Sequence, residues 1–245
     1  MALSTDRILL STVKMVGRMH KTFPAAHLDV GSGHGDLITL LRERYDITSA
    51  ACDYTDTLIQ LSDVPIKVVD LNVDKLPFSN KSFDLVTCTE VIEHLEHYRE
   101  TIREIHRILI PGGTFVVTTP NILNLKSRIR FLIFGFYNLF GPLHFKESAL
   151  HSAGGHINPV SLFYLVHALI DAGFSNVQVT IDKPQSSSKF WLLFLYAPIK
   201  LFSAVIKRKE KQKYKTIDVH NHAYVHMINS IDILLGRTIV VGCKK

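Results

Sequence analysis

A glycine-rich turn is the segment of the sequence that says most about chemistry. Residues 27–36 read His-Leu-Asp-Val-Gly-Ser-Gly-His-Gly-Asp, a short β-rich run that passes through three alternate glycines into a helical pattern. Glycine lets the backbone turn tightly and approach a ligand, because no Cβ stands in the way. Backbone amides at the start of the following helix would then face that ligand. Taken alone, the pattern is compatible with a nucleotide or nucleoside site and equally with a purely structural loop.

Acidic residues after the next two predicted strands support a nucleoside. Asp53 ends the second strand 22 positions after Gly31, where its carboxylate can accept hydrogen bonds from both ribose hydroxyls. Asp70 and Leu71 follow the third strand, where the carboxylate can accept the adenine amino group and the leucine can cover the ring. A dinucleotide-binding domain shares the first two features, but its fingerprint requires glycine at position 36, where this chain has Asp36.

The elements that must position these residues alternate along the chain. Short β-rich runs separated by helical patterns are typical of a parallel sheet wrapped by helices. Helices are predicted at 36–45, 98–109 and 159–172, and an amphipathic first helix is predicted within 1–23. Seven strands are predicted, at 27–30, 48–53, 67–69, 83–89, 114–119, 176–181 and 238–243. We therefore predict one α/β domain over 1–245, with a seven-stranded, mostly parallel sheet and helices on both faces.

Two stretches do not fit this alternation and are predicted to be helical or apolar insertions. The first is 121–155, which contains an aromatic-rich run at 131–137. The second is 186–235, between the sixth and seventh strands. Acceptor contacts are expected from these two insertions.

Taken together, the segments resemble a known family. Over roughly 25–180 and the last strand, the pattern is similar to the class I S-adenosylmethionine-dependent methyltransferases. The segments that carry the resemblance are Leu28-Asp29-Val30-Gly31-Ser32-Gly33-His34-Gly35, Asp53, Leu76-Pro77-Phe78, Ser82-Phe83-Asp84-Leu85-Val86 and Glu90-Val91-Ile92-Glu93-His94-Leu95. The resemblance implies a Rossmann-like fold that binds S-adenosylmethionine, with its sulfonium end beside Thr89 and Glu90. The expected cofactor-binding residues are Asp29, Gly31, Gly33, Gly35, Asp53, Tyr54, Asp70, Leu71 and Thr89.

The segment Glu90-x-x-Glu93-His94 indicates how an acceptor could be activated. Residues 90, 93 and 94 would share one helical face and converge. Similar segments occur in polyprenyl-quinone O-methyltransferases and in small-RNA 3′-terminal 2′-O-methyltransferases, where they resemble metal-ligand sets. In the RNA enzymes a later histidine completes the set, and His156 matches it here. The resemblance implies a divalent ion, Mg²⁺ or Zn²⁺, held by Glu90, Glu93, His94 and His156.

Two other roles stay open for these side chains. Glu90, His94 and His156 are the candidate catalytic residues, and a neutral imidazole of His94 or His156 can remove a proton without any metal. The same groups can also contact only the cofactor or cap the helix.

The second insertion combines an apolar run with most of the chain's excess positive charge. Residues 190–206 are strongly apolar, and residues 207–213 read Lys-Arg-Lys-Glu-Lys-Gln-Lys. The apolar run is predicted to be too short to cross a bilayer, which takes about twenty apolar residues, and it is interrupted by Pro198 and Lys200. Two roles stay open: contact with an anionic membrane surface through 190–215, or burial against 131–137 as a lid over the active site.

The distribution of charge and cysteine limits partners and compartment. The net charge is +6, yet residues 188–215 hold eight Lys or Arg and one Glu, which leaves about −1 for the rest of the chain. The sequence does not favour nucleic acid as a partner, because no aromatic platform is interleaved with the basic run. Three scattered cysteines predict no disulfide framework, so we expect a cytoplasmic protein, with peripheral attachment to the inner face of the membrane as an open alternative.

Three functions stay open at this stage. The first is methyl transfer from S-adenosylmethionine to oxygen on a small or lipid-linked acceptor, such as a polyprenyl phenol or a lipid-linked sugar. Segments 119–121 and 155–159 support it, since they resemble bacterial methyltransferases associated with surface-polysaccharide and quinone pathways. The second is 2′-O-methylation of RNA. The third is a module that binds S-adenosylmethionine without catalysis.

Overall fold

A single sheet organises the computed structural model, which describes residues 5–20, 25–143 and 155–245. Helices and strands alternate along most of the chain, as the sequence pattern predicts. Their order is α1 (Asp6–Met19), β1 (Ala26–Val30), α2 (Asp36–Arg42), β2 (Thr48–Asp53), β3 (Ile66–Val68), β4 (Phe83–Thr89), α3 (Tyr98–Ile108), β5 (Leu109–Pro120), α4 (Leu125–Phe134), α5 (Leu162–Asp171), β6 (Ser175–Ile181), α6 (Ser186–Lys209), α7 (His222–Met227), α8 (Ile231–Leu235) and β7 (Thr238–Lys244).

The strand order confirms the predicted fold class. The seven described strands are arranged β3-β2-β1-β4-β5-β7-β6, and among them β7 alone runs antiparallel to its neighbours. The chain moves outward from β1 to β3 and then returns to place β4 on the other side of β1. Such a reversal opens a crevice at the carboxyl ends of the strands, where ligands of α/β proteins usually bind.

Apolar side chains cover both faces of the sheet. On one face α3 and α5 bury residues such as Ile105 and Leu165 against the strands, and on the other α1 buries Val16. The adjacent β4 residues Leu85 and Val86 belong to different clusters, because successive side chains of a strand point to opposite faces. Each such side chain contributes roughly 1.5–3 kcal/mol by leaving water. The two layers therefore hold the carboxyl edge of the sheet in a fixed position.

Most predicted boundaries agree with the structure, and the start of β5 is the main exception. The other six strands begin within one residue of their predicted starts. The predicted stop at Pro111-Gly112-Gly113 is instead part of β5, which begins at Leu109 directly after α3. The Gly112 amide bonds to the Lys245 carbonyl at 2.9 Å, and pairing with β4 shifts register between Phe83 and Leu85. β5 therefore continues through a Pro-Gly-Gly segment of the kind that usually ends a strand.

The two predicted insertion stretches contain the remaining helices. Between β5 and α5 the described part holds α4, whose Asn124 cap accepts a 2.8 Å hydrogen bond from the Ser127 amide. Gly135, at φ +76°, ends α4 in the left-handed conformation that glycine tolerates. Residues 144–154 of the first stretch lie outside the described part. Between β6 and β7 are α6, a short π-helical turn over Glu210–Tyr214, α7 and α8.

The structure corrects two expectations about the 190–206 run, that it could be a buried lid and that it is too short to cross a bilayer. It is not a buried lid: within α6 the structure buries Ser188 alone, and Phe190, Leu193 and Phe202 are 60%, 79% and 64% exposed. It is also part of a longer helix, because Ser186–Tyr214 forms 29 continuous helical residues that are long and apolar enough to cross a membrane by length and composition. A single helix of this kind is weak evidence for a span.

Candidate functional site

The glycine turn joins β1 to α2 at the carboxyl edge of the sheet. Gly31, Gly33 and Gly35 have φ of 72°, 50° and 87°, a region that other residues rarely adopt. A Cβ added at Gly31 would lie 2.2 Å from Cγ2 of Val91, so the backbone and the neighbouring loop both require glycine there. Gly35 caps α2, and a Cβ there would lie 2.8 Å from Leu61. The turn is thus shaped by the fold around it as well as by its own flexibility.

Asp53 is bonded directly to this turn. Its carboxylate accepts hydrogen bonds from the Gly33 amide and from the Tyr54 amide, each at 2.8 Å. Burial raises the pKa of Asp53, and these amide bonds oppose that rise. The end of β2 and the turn after β1 are therefore tied together before any ligand is bound.

A cavity of about 350 Å³ opens beside the turn, within the usual range of small-molecule sites, roughly 300–1,000 Å³. The buried hydroxyls of two lining residues, Ser32 and Thr89, have no hydrogen-bond partner. The structure places these predicted site residues on its wall: Asp29, Gly31, Gly33, Asp53, Tyr54, Asp70, Leu71, Thr89, Glu90, His94 and His156. A polar ligand bound beside the glycine turn could supply the hydrogen-bond partners that these two hydroxyls lack.

Two predicted site residues do not line the cavity, and several unpredicted residues do. Gly35 shapes the turn from outside the cavity wall, and Glu93 is fully buried behind it. The unpredicted lining includes Ile8 of α1, Leu139 after α4 and Arg237 before β7. These residues are distant in sequence from the glycine turn, so no local pattern could have revealed them.

A buried chain of hydrogen bonds fixes Asp29. Thr87 donates to the Asp29 carboxylate at 2.6 Å, the Thr87 hydroxyl lies 2.8 Å from Nε2 of His27, and His27 Nδ1 lies 3.1 Å from Ser49. Burial lowers the pKa of His27 to about 3, so the ring is neutral and its Nε2–H can donate to Thr87. Burial also raises the pKa of Asp29 to about 7. A cationic ligand group would favour the ionised form of this carboxylate.

The acidic segment after β4 differs from the predicted helix. Glu90 directly follows β4 with φ +55°, and only Ile92–His94 form a single 3-10 turn. The prediction that residues 90, 93 and 94 share one helical face is therefore wrong. The Glu90 carboxylate accepts a 2.9 Å hydrogen bond from Thr118 on β5. Burial raises the pKa of Glu90 to about 7.

Glu93, His94 and His156 converge instead. One ligand atom from each lies within 4.8 Å of the others. The Ile157 and Asn158 amides both donate to the Glu93 carbonyl at 3.0 Å, which brings the segment after residue 154 against the turn.

Two of these three side chains have an unused polar atom. Oε1 of Glu93 and Nδ1 of His156 are buried without a hydrogen-bond partner. Nδ1 of His94 bonds to the Gly155 carbonyl at 3.0 Å, and a proton on that nitrogen leaves a lone pair on Nε2. Burial lowers the pKa of His156 to about 4 and also lowers that of His94. Neutral imidazoles beside an unsatisfied carboxylate fit the ligand chemistry of a divalent transition metal.

Comparison with known proteins identifies relatives of the same core. Residues 28–117 match the family model of a methyltransferase domain. A probable S-adenosylmethionine-dependent methyltransferase of Mycobacterium tuberculosis is 31% identical over 156 residues, 61% of this chain and 48% of that protein. The demethylmenaquinone methyltransferase of Listeria welshimeri is 26% identical over 168 residues, 62% of this chain and 70% of that protein. A structure of a SAM-dependent methyltransferase from Archaeoglobus fulgidus superposes with a TM-score of 0.60 over 98% of this chain and 95% of that one, at 17% identity.

The matched region runs from β1 into β5 and contains the glycine turn, Asp53 and Glu90. The fold is that of the class I S-adenosylmethionine-dependent methyltransferases, and residues 28–117 are similar to a methyltransferase domain. The chain spans about half the length of most curated relatives it matches, such as the M. tuberculosis protein at 48%. The observed strand order, in which β7 is antiparallel to its neighbours, agrees with this fold. So does the cavity at the carboxyl edge of the sheet.

In this methyltransferase fold, Asp29 leads to a prediction about pH. The family resemblance places Asp29 beside the methionine part of the cofactor, whose ammonium group pairs with an ionised carboxylate. With a pKa of about 7, Asp29 carries a proton in the free protein below neutrality and must lose it on binding. We expect affinity for S-adenosylhomocysteine to fall about tenfold between pH 8 and pH 6, measured by calorimetry.

Asp29→Asn is the matched control for this pH dependence. Asparagine still accepts from Thr87 but has no proton to lose, so the variant should bind weakly at both pH values. Glu90 also has a pKa of about 7 and lies on the same cavity wall. An unchanged pH dependence in the Asp29→Asn variant would therefore contradict the role of Asp29 and point to Glu90.

Proposed function

We propose that this chain transfers the methyl group of S-adenosylmethionine to a hydroxyl oxygen of a small or lipid-linked acceptor. One observation carries the proposal: a single cavity is lined both by the residues expected to hold the cofactor and by Glu90, His94 and His156. The cofactor residues lie on β1, β2 and the adjoining loops, Glu90 and His94 follow β4, and His156 lies before α5. Both reactants would therefore meet at the carboxyl edge of the central strands.

The chemistry required of the protein is mainly positioning. Methyl transfer forms an oxygen–carbon bond as the carbon–sulfur bond of the cofactor breaks, the electron pair stays on sulfur, and the acceptor oxygen loses its proton. An in-line arrangement of the two reactants supplies much of the rate. Asp29 and the glycine turn would hold the methionine part, Asp53 the ribose, and Asp70 with Leu71 the adenine. This leaves the wall formed by Glu90, His94 and His156 for the acceptor.

Activation of the acceptor hydroxyl is assigned to Glu93, His94 and His156. These three side chains supply two imidazole nitrogens and one carboxylate oxygen, a set that suits Zn²⁺ better than Mg²⁺, which prefers oxygen ligands. An ion held there would lower the pKa of a hydroxyl that approaches it. Glu90, the fourth ligand expected from the family resemblance, is bonded to Thr118 and falls outside the three-residue group. We therefore propose three protein ligands rather than four.

A metal-free general base is the competing proposal for the same residues. A base works best when its pKa is near the working pH, because it is then both unprotonated and able to hold the proton. Burial lowers the pKa of His156 to about 4, well below that optimum. This low pKa argues against proton removal by His156.

An RNA acceptor has less support than a small or lipid-linked one. The cavity wall carries five carboxylates and one guanidinium, those of Asp29, Asp36, Asp53, Asp70, Glu90 and Arg237. Phosphate groups are repelled by such a surface, whereas nucleic-acid sites are lined by Lys and Arg. The relative named demethylmenaquinone methyltransferase acts, by its name, on a quinone, which also favours a small molecule.

Labelled S-adenosylmethionine tests the proposed function. The purified chain is incubated with cell extract, and the label is followed into lipid, RNA and water-soluble fractions. We expect label in the lipid or small-molecule fraction, on oxygen, and at background level with the Asp53→Ala variant. Label confined to RNA would overturn the acceptor assignment. No label above the Asp53→Ala background in any fraction would overturn catalysis and leave a module that only binds the cofactor.

A further inference from the structure

We infer that α4 and α6 together form a docking surface for an anionic lipid bilayer, from which the acceptor enters the cavity. This inference deepens the proposed function and rests on it for the nature of the acceptor. It commits to a lipid surface, and it is carried by the exposure of two adjacent helices, their charge and their position beside the cavity.

The outer face of α6 is apolar and exposed. Residues at helical spacing form a partly buried inner face that includes Leu192, Tyr196, Ile199 and Ser203. The opposite face is the unusual one, because its exposed side chains are Phe190, Trp191, Leu193, Phe194, Leu201, Phe202, Val205 and Ile206. A surface helix normally shows polar residues there, and one that is apolar all round is buried in protein or in a membrane. In this structure no described residue covers the outer face.

The end of α4 extends this surface. Leu132 and Ile133 are 84% and 79% exposed, and Phe131, Phe134 and Phe136 are also exposed. Helix α4 packs against α6, so the two apolar faces are neighbours. Contiguous exposed patches above roughly 300–600 Å² mark interaction sites on soluble proteins. Helices α4 and α6 expose twelve apolar side chains, and Phe136 just after α4 adds a thirteenth, so we interpret this surface as an interaction site.

The α4 surface leads into the cavity. Arg130 donates to the carbonyls of Tyr137 and Phe140, which folds the segment after Gly135 back along the helix. Leu139 is 41% exposed and lines the cavity, and the Phe140 ring lies 5.3 Å from that of His156. The apolar path therefore runs from the outer surface to the proposed acceptor site. An amphiphile could keep its chain at the surface while its hydroxyl reaches His156.

The charge pattern favours anionic lipid over a second copy of the chain. Segment 188–215 carries eight Lys or Arg and one Glu. A two-fold interface would place this patch against itself, and like charges repel. Anionic head groups complement it, and polybasic segments beside an apolar helix bind such leaflets.

The helix is docked along the domain rather than across it. Asn229, on the return to β7, donates to Ser203 at 2.7 Å, and the Lys207 ammonium lies 3.4 Å from His226. At the start of α6, the Gln185 amide donates to the Leu235 carbonyl at 2.8 Å, so both ends of the helix are held by the same domain. A helix of 24 residues spans about 36 Å, long enough to lie in the interface over its whole length. We therefore place α6 in the plane of the membrane surface.

Trp191 makes docking directly measurable, because it is the chain's single tryptophan and it lies on the outer face of α6. Its fluorescence is recorded while vesicles of equal parts phosphatidylcholine and phosphatidylglycerol are added, in parallel with co-sedimentation. We expect a shift to shorter wavelength, quenching by brominated acyl chains, and loss of binding with salt, since the Debye length is only about 8 Å at physiological ionic strength. Pure phosphatidylcholine vesicles should bind much more weakly.

Matched variants separate charge from apolar contact. Replacing Lys207, Arg208, Lys209 and Lys211 with glutamine should weaken binding about tenfold or more. Replacing Lys14, Arg18, Lys67 and Lys75, four exposed cations elsewhere, should change it less than twofold although the net charge changes equally. Leu132→Asp with Ile133→Asp should also weaken binding, whereas Tyr164→Asp with Ile170→Asp on α5 should not.

Three outcomes would overturn the docking surface. They are no fluorescence shift at low salt, equal loss in the two cation variants, and a wild-type dimer in sedimentation equilibrium that Leu132→Asp with Ile133→Asp dissociates. Calorimetry with S-adenosylhomocysteine on the same preparations separates the two proposals. Cofactor binding without vesicle binding would refute the docking surface alone, and vesicle binding without cofactor binding would refute the proposed function.

Discussion

Replacing Asp53 with alanine is expected to weaken binding of S-adenosylhomocysteine about a hundredfold. The carboxylate is predicted to accept hydrogen bonds from both ribose hydroxyls, and bonds to charged groups contribute about 1.5–3 kcal/mol each. The same carboxylate accepts from the Gly33 amide at 2.8 Å, so its removal also frees the turn that shapes the cavity. Titration calorimetry measures the change in affinity.

Asp56→Ala provides the matched control for Asp53→Ala. Asp56 is an exposed carboxylate three positions further on, and it does not line the cavity. Its removal alters net charge equally and should leave affinity within about twofold. Thermal unfolding of both variants checks that the sheet is intact. Equal affinity of Asp53→Ala and wild type would refute the ribose role and, with it, the placement of the cofactor.

The second large effect is expected at the convergent group after β4. Glu93→Gln and His156→Ala should each lower methyl transfer to a hydroxyl acceptor by about a thousandfold, within the range of a lost activating group. Bound zinc, measured by equilibrium dialysis and elemental analysis, should fall from one ion per chain to none. Affinity for S-adenosylhomocysteine should stay within about twofold of wild type, because the ion would serve the acceptor and not the nucleoside. A chelator should reproduce the loss of activity.

His222→Ala with His226→Ala is the control for metal binding. These imidazoles lie at i, i+4 on α7 with ring centroids 6.3 Å apart, so they offer a pair of exposed histidines outside the convergent group. Their removal should change neither bound zinc nor turnover. Full turnover after exhaustive chelation would contradict the metal and leave His94 or His156 as a general base. Wild-type turnover in both His94→Ala and His156→Ala would exclude either role.

The sequence by itself determined the core of this protein. Strand-forming runs, alternate glycines and the 22-residue spacing from Gly31 to Asp53 are local or regular signals, and they predicted six strand starts within one residue. The spacing is informative because β1 and β2 are adjacent parallel strands, so that residues at their carboxyl ends lie close together. The same reasoning predicted Asp53 and Asp70 as site residues, the family resemblance added Asp29, and all three line one cavity.

Only the tertiary structure decided which side chains converge and which surface is left uncovered. Helical spacing grouped Glu90 with Glu93, but the left-handed backbone at Glu90 turns its carboxylate to Thr118 on β5, a contact between residues 28 positions apart. Leu139 lies within the first insertion and Arg237 follows the second, and both line the cavity because the chain folds back to it. The apolar character of 190–206 is equally compatible with a core and with a membrane surface, since hydrophobicity is non-directional. Its exposure depends on what packs against it, which is a property of the whole fold.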